Sequence, residues 1–421
     1  MACKNSIRNG VLFFFALCGF TSVAQGSGYG LFTQGASPLG QADAVVAHCD
    51  GASTLFFNPA LMSKLPGTRV EIGTTLLFPT RHYTAPDGYT ASTKDTVFTP
   101  STFYLTHTFN DKISAGLAVF NPFGLGTDWG SNWGGAYGGQ YIATKSELTT
   151  WEINPAVSYR ILPALSVAAG LDVLLLNATL ENKNLSTTYG FPTRFDVAQK
   201  FTGSGNGVGY NFGLSLELPY DISFGASYRS QVTIDVDGDF TADVLSQSVG
   251  GKTTVKLPQQ VFAGVAYKPT DRMTLEAGMR WEDWSSFQQL QIQFAPNIFG
   301  LPSPSPSPRD WHSSYAFNLG GKFKINDTFS LMAGYLHGWN PVPDSTFDPS
   351  IPDSDTNLYT FGGEARYHGF TLGLAYGYQM QSARYKSDNA YAPTPLNASA
   401  SADGTYETDL HLVGLSLGYT F

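Results

Sequence analysis

The chain has 421 residues, of which 14% are aromatic, 14% are charged and 45 are glycine, with a net charge of −9. The charged fraction lies well below the roughly 25% of soluble domains, and an acidic balance without a basic run excludes nucleic acid as a partner. A mean hydropathy of −0.10 excludes a bundle of membrane helices, whereas strands that alternate lipid-facing apolar residues with lumen-facing polar ones give such a value.

In chain order, residues 1–24 read as a signal peptide. Lys4 and Arg8 are followed by the apolar run Val11 to Phe20 and the small-x-small triplet Ser22-Val23-Ala24, which predicts cleavage near Ala24. Leu17 ahead of Cys18 argues against lipoprotein processing, and cleavage leaves Cys49 as the single thiol, unable to form an internal disulfide. Cys49 itself reads as a small buried residue. Residues 25–66 are rich in Gly and Ala and show no sustained alternation. Leu55, Phe56 and Phe57 are out of place in a disordered tail, so this segment is predicted to be a plug inside a barrel.

From 67 to 421 a two-residue period dominates. Val208, Tyr210, Phe212, Leu214, Leu216 and Leu218 alternate with Gly209, Asn211, Gly213, Ser215 and Glu217. The same alternation runs from Tyr315 to Lys324 and from Phe370 to Gln381. Successive side chains of a strand point to opposite faces, so each segment has one greasy and one small or polar face. The greasy faces end in aromatics, as a membrane girdle does. The polar faces carry charges of both signs, among them Glu217, Arg229, Glu276, Arg280, Glu282, Lys322, Glu364 and Arg366, which suits a lumen with paired charges.

Six connections are short: Asn110-Asp111-Lys112, Leu162-Pro163, Pro219-Tyr220-Asp221, Pro269-Thr270-Asp271, Asn326-Asp327 and His368-Gly369. Seven Gly-, Pro- and Ser-rich segments alternate with them, near 83–96, 121–145, 181–206, 237–252, 285–312, 338–355 and 382–404. Thirteen connections make fourteen strands. The fold class is therefore all-β: a 14-stranded antiparallel transmembrane β-barrel over 67–421, with short periplasmic turns, long external loops and an N-terminal plug over 25–66. The chain ends with Val413, Leu415, Leu417, Tyr419 and Phe421 on one face, similar to the C-terminal signal of outer-membrane barrels.

Chemistry-bearing motifs are sparse. There is no Gly-x-Ser-x-Gly, and the seven histidines show neither nucleophile nor metal spacing, so the expectation is a protein that is not an enzyme and has no cofactor and no metal. Pro122 lacks an N–H, so Asn121-Pro122 fits either a strand end or a break in the wall. Pro59 pushes Asn58 to an extended conformation, from which its side chain can satisfy plug or lumen backbone groups. Phe56 and Phe57 fit either a greasy lining or plug packing. Phe123, Trp129, Trp133 and Tyr137, with Phe287, Ile298, Phe299 and Leu301, fit either an external capture groove or interfacial aromatics. Pro302 to Pro308 reads as a stiff extended spacer.

The plug segment reads Gly40-Gln41-Ala42 and Ala52-Ser53-Thr54-Leu55-Phe56-Phe57-Asn58-Pro59-Ala60. It resembles the N-terminal hatch of the FadL-type outer-membrane transporters (OMPP1/FadL/TodX). Further ordered likenesses are Asn121 to Trp129, Tyr228-Arg229-Ser230 with Asp235 to Gly238, Leu257-Pro258, Trp284 to Leu290, and Pro341-Val342-Pro343 through Ile351-Pro352-Asp353. The resemblance implies passive inward transport of hydrophobic small molecules, long-chain fatty acids or aromatic and aliphatic hydrocarbons, across the bacterial outer membrane. It implies external capture, binding in the lumen, movement of the hatch, and sideways exit near a kink in the third strand. On that basis Asn58, Pro59, Ala60, Phe56 and Phe57 are assigned to the hatch, and Phe120, Asn121 and Pro122 to the kink. Phe123, Trp129, Asn177, His312 and Asp353 are assigned to the pocket or groove. Asn177 and His312 stand where the fatty-acid transporters carry basic residues, which weakens a fatty-acid assignment and leaves Arg309 or Arg194 to compensate. The expected partners are the cargo, outer-membrane lipid and the barrel assembly machinery, with a monomeric state. A general aqueous porin is the main alternative; an outer-membrane lipase or an adhesin is a weaker one.

Overall fold

The computed structural model describes residues 28–294, 307–387 and 401–421. The signal segment, the start of the plug, Ile298, Phe299, Leu301 and most of the Pro-Ser spacer lie outside the described residues.

The barrel has fourteen antiparallel strands. They are β1 (Thr68–Thr84), β2 (Ser101–Thr108), β3 (Ile113–Phe120, resuming at Gly124–Asp128), β4 (Lys145–Leu162), β5 (Leu165–Leu185), β6 (Asp196–Leu218) and β7 (Ile222–Arg229, resuming at Val232–Ala242). Then come β8 (Val249–Leu257, resuming at Gln260–Thr270), β9 (Met273–Glu282), β10 (Ser314–Lys324), β11 (Phe329–Gly338), β12 (Thr356–Tyr367), β13 (Phe370–Gln381) and β14 (Gly404–Thr420). Strand β14 pairs with β1 from Arg69↔Thr420 to Thr84↔Thr405, which closes the sheet and removes its edges. All six predicted short turns join neighbouring strands. Two are built on consecutive left-handed residues, Tyr220 (φ 68°) with Asp221 (φ 60°) and His368 (φ 46°) with Gly369 (φ 84°). That geometry matches the right-handed twist of a two-residue hairpin.

The alternation reverses part-way up the long strands. In the first half of β7, Ile222, Phe224, Ala226 and Tyr228 face outward while Gly225, Ser227 and Arg229 face the lumen. Beyond the break at Ser230-Gln231, Val232, Ile234 and Val236 face inward and Thr233, Asp235 and Asp237 face out. Strand β8 shows the same reversal across Pro258, with Lys252, Thr254 and Lys256 outside and Val255 and Leu257 inside. The lower half thus suits lipid and the upper half suits water around an apolar filling. Two of the segments expected to be external loops, 181–206 and 237–252, are largely these strand extensions. Their polar outer faces read as loop because the greasy period-2 stripe moves to the inside.

Residues 28–66 lie within the barrel. A short helix (Ala36–Gly40), a helical turn (Thr54–Phe57) and a 3-10 turn (Pro59–Lys64) are buried almost throughout. The small lumen residues are explained by this filling. A Cβ on Gly225 would collide with the Val46 carbonyl, and one on Gly320 with the Gln41 carbonyl. Glycine there lets the hatch backbone pass directly against the wall.

Candidate functional site

The hatch is fastened by charge. Glu276 accepts hydrogen bonds from the backbone amides of Val46 (2.6 Å), Ala47 (3.0 Å) and His48 (3.1 Å) and lies 2.7 Å from His48 Nδ1. Arg229 pairs with Glu152 (2.5 Å) and Asp172 (2.8 Å) and donates to the Phe56 carbonyl (3.1 Å). Lys322 bridges Asp50 of the hatch (2.8 Å) and Glu364 of β12 (2.9 Å). Arg280 pairs with Glu282 at 2.7 Å. The expected pairing of lumen charges is present, and much of it is spent on holding the hatch.

Asn58 is extended (φ −160°, ψ 96°) and caps the turn that begins at Pro59. Its Nδ2 donates to the carbonyls of Val46 and Leu214, both at 2.9 Å, and its Oδ1 accepts from the Ala60 amide. It therefore ties two parts of the hatch to β6. Phe56 and Phe57 pack with Phe120, Tyr104 and Phe262 rather than along a cavity; the Phe56 and Phe120 rings are 5.0 Å apart, edge to face.

Strand β3 is broken at Asn121-Pro122. Between Phe120↔Glu152 and Gly124↔Thr149 it carries one residue more than β4, so a bulge turns its upper half away. The upper half, Gly124–Asp128, pairs with β4 and has no ladder on its other side. Beneath the gap, the Asn121 Oδ1 accepts from the Ser101 amide (2.9 Å) and its Nδ2 donates to the Thr150 carbonyl (2.5 Å). Above it, the Lys94 amide donates to the Asp128 carbonyl (2.8 Å). Between these ties, Val97 to Pro100 and Gly124 to Gly126 face each other without backbone bonds, a window in the hydrogen-bond ladder that side chains fill. The Phe98 ring lies against Gly126, where a Cβ would collide with it.

Behind the window is a cavity of about 410 Å³. It is lined on the lipid side by the exposed Val97 and Trp151 and farther in by Phe98, Leu125, Phe32, Leu77, Leu410, Leu412, Arg81, Gln379, Gln381 and Asp353. Its inner face is the start of the described chain. Gly30 bridges Phe123 in antiparallel fashion, with Leu31 N–H donating to the Pro122 carbonyl (3.0 Å) and Gly124 N–H to the Tyr29 carbonyl (2.9 Å). The Gly28 amide donates to Asp353 Oδ2 at 2.9 Å, and Gln381 donates to Oδ1 at 2.9 Å. Burial pushes the Asp353 carboxyl up to about 7, although the Gly28 amide and Arg384 pull the other way. Tyr29 anchors this segment in an aromatic cap, 4.4 Å from Trp284 and 5.9 Å from Trp311.

The chain from residue 17 to 421 matches the model of the outer membrane protein transport protein family (OMPP1/FadL/TodX). The chain belongs to this family. It is a family of outer-membrane transport proteins for hydrophobic substrates, and the protein is therefore one of the bacterial outer membrane. The long-chain fatty acid transport protein of Escherichia coli O6:H1 is 24% identical, over 79% of this chain and 82% of its own. The fold matches a FadL homologue of Pseudomonas aeruginosa (TM-score 0.81, 17% identity, 94% of this chain and 100% of that one). It also matches the P. putida toluene transporter TodX (TM-score 0.73, 18% identity, 93% of this chain and 99% of that one).

Within this FadL-type frame, Asn121, Phe123 and Asp353 line the cavity, and Pro122 supplies the carbonyl that holds Leu31. Trp129 is buried in the cap, stacked 4.5 Å from Trp133 and donating to the Pro349 carbonyl, and does not line the cavity. Two further candidates, Asn177 and His312, lie away from this cavity. Asn177 is exposed on the outer face of β5, paired between Thr149 and Ser204 above the lipid-facing stretch. His312 is exposed, and its neighbour Trp311 is the buried one. A strand shows alternate faces, so an alignment displaced by one residue puts a side chain on the wrong side of the wall. Neither proposed substitute basic residue lines the cavity: Arg309 is buried and paired with Asp348, and Arg194 is exposed. Residues 28–33, Phe98 and Arg81 were missed. A bulge inferred at Pro122 leaves an unpaired edge that something must cover, and that was the available signal.

Proposed function

We propose that the protein carries long-chain fatty acids or hydrocarbons inward, passively, by capture at the aromatic cap, residence in the cavity, and sideways exit through the window after the Gly28–Leu31 segment withdraws. The observation that carries this reading is the continuity of the cavity from the inner wall to the lipid-facing Val97 and Trp151. A greasy solute that leaves sideways enters lipid without full rehydration. Among the described residues, two backbone hydrogen bonds at the bulge hold the covering segment to β3, from Leu31 and Gly124. The filled lumen disfavours an open aqueous porin, which needs a water-filled interior. The names of the relatives, a fatty-acid transporter and a toluene transporter, fit the same class of cargo.

The test is uptake of labelled oleate and toluene by cells that lack their own carrier. Saturable uptake that depends on this chain, with single-channel currents near background, is the expected result. Large steady ionic currents without cargo uptake would overturn the reading in favour of a porin.

A further inference from the structure

Among the described residues lining the cavity, Arg81 is the only lysine or arginine. It projects from the inner face of β1 and reaches across the window, where Nη1 donates to the Gly126 carbonyl at 2.7 Å. That bond is the side chain's only hydrogen bond among the described residues, and no described carboxylate lies within ion-pair reach. The contrast with Arg229, Arg280 and Lys322 is sharp, since each of those has a carboxylate partner within 2.9 Å. Asp353, the acid of the same cavity, already receives Gly28 on one oxygen and Gln381 on the other.

We propose that Arg81 is a specificity-determining residue that binds a carboxylate head group at the threshold of the window, so that the cavity prefers hydrophobic acids to their neutral counterparts. The bond from Nη1 ties one nitrogen of the guanidinium and leaves Nε and Nη2 without a hydrogen bond to the described residues. Together they form the planar two-donor fork that matches a carboxylate. A cation set beside an apolar cavity with no hydrogen-bonded carboxylate is only partly compensated, here by the more distant Asp353, and an incoming anion removes the remaining cost. The tail then lies along Phe32, Leu77, Phe98, Leu410 and Leu412, which line the same cavity. This rests on the transport reading above and assigns its cargo the acid class.

The test compares dibromostearic acid with its methyl ester, read as quenching of tryptophan fluorescence in the purified full chain near neutral pH. Trp151 lines the cavity and Trp284 packs on Tyr29, so both report occupancy. The wild-type protein is expected to bind the acid about tenfold more tightly than the ester, the scale of one charge-assisted contact. Arg81→Gln, which keeps a neutral amide and loses the charge, is expected to bring the acid and ester affinities together. Arg81→Lys is expected to restore part of the preference. An acid-to-ester ratio of one in the wild type, or an unchanged ratio in Arg81→Gln, overturns the proposal while leaving the transport reading in place. Failure of both ligands to quench overturns both.

Discussion

Replacing Glu276 by alanine tests whether the hatch is held by polar fastening. The Glu276 carboxylate receives the amides of Val46, Ala47 and His48 together with the His48 ring. All of these groups are buried against the lower half of the barrel. Alanine leaves three amides without an acceptor in a place that water does not reach easily. At about 1–3 kcal/mol for each unsatisfied buried group, the docked state loses roughly 3–9 kcal/mol. The barrel ladder is untouched, because β9 pairs with β8 and β10 through its backbone. The expected phenotype is therefore selective: an intact, heat-modifiable barrel whose residues 28–66 become open to protease and whose single-channel conductance rises. Glu276→Gln, with one acceptor oxygen kept and one donor turned against the amides, is expected to fall between. Equal hatch protection in Glu276→Ala and wild type would refute the fastening argument.

Other outcomes follow from the same geometry. Gly320→Val places a side chain where the Gln41 carbonyl now lies, and is expected to expel the hatch and raise conductance without loss of the barrel. Asn58→Ala removes two donated bonds and one accepted bond, and is expected to cost about 2–4 kcal/mol of hatch docking, measured as faster amide exchange at Val46 and Ala60. Burial holds Asp353 at about 7, and the bond from the Gly28 amide opposes that rise by favouring the ionised carboxylate. Docking of Gly28 to Leu31 is then expected to strengthen as pH rises through about 7 and to weaken below it. Amide exchange of these residues, corrected for its intrinsic pH dependence, should slow across that range, and Asp353→Asn should make it pH-independent.

How much of this was legible in the sequence depended on which face a residue occupies. The closed barrel was legible because β6 and β13 alternate greasy and small residues and because turns such as Tyr220-Asp221 and His368-Gly369 carry their own backbone chemistry. The role of Asn58 was legible because Pro59 restricts its backbone. The upper strand extensions were not, because the rule that outward residues are apolar holds only within lipid, and Thr233, Asp235 and Lys252 sit above it. Asn177 lies off the cavity for a different reason: it was assigned by alignment to the family, and a shift of one residue on β5 changes the face of the wall. The covering of the window by Gly28 to Leu31 is a contact between segments about ninety residues apart in sequence, and no local pattern announces it. Arg81 lies on a strand whose period is regular, so only the missing ladder beside Gly126 distinguishes it.

The central claim is that cargo passes between Tyr29–Leu31 and the broken third strand. Gly30 and Phe123 form a non-hydrogen-bonded cross-strand pair, the closer of the two antiparallel spacings. Cysteines placed at both positions, in a Cys49→Ala background, should form a disulfide once the flexible end of Arg280 moves aside. The account predicts that the oxidised protein binds cargo but does not release it into the cell, and that reductant restores uptake to the wild-type rate. Full uptake by the oxidised, cross-linked protein would contradict it.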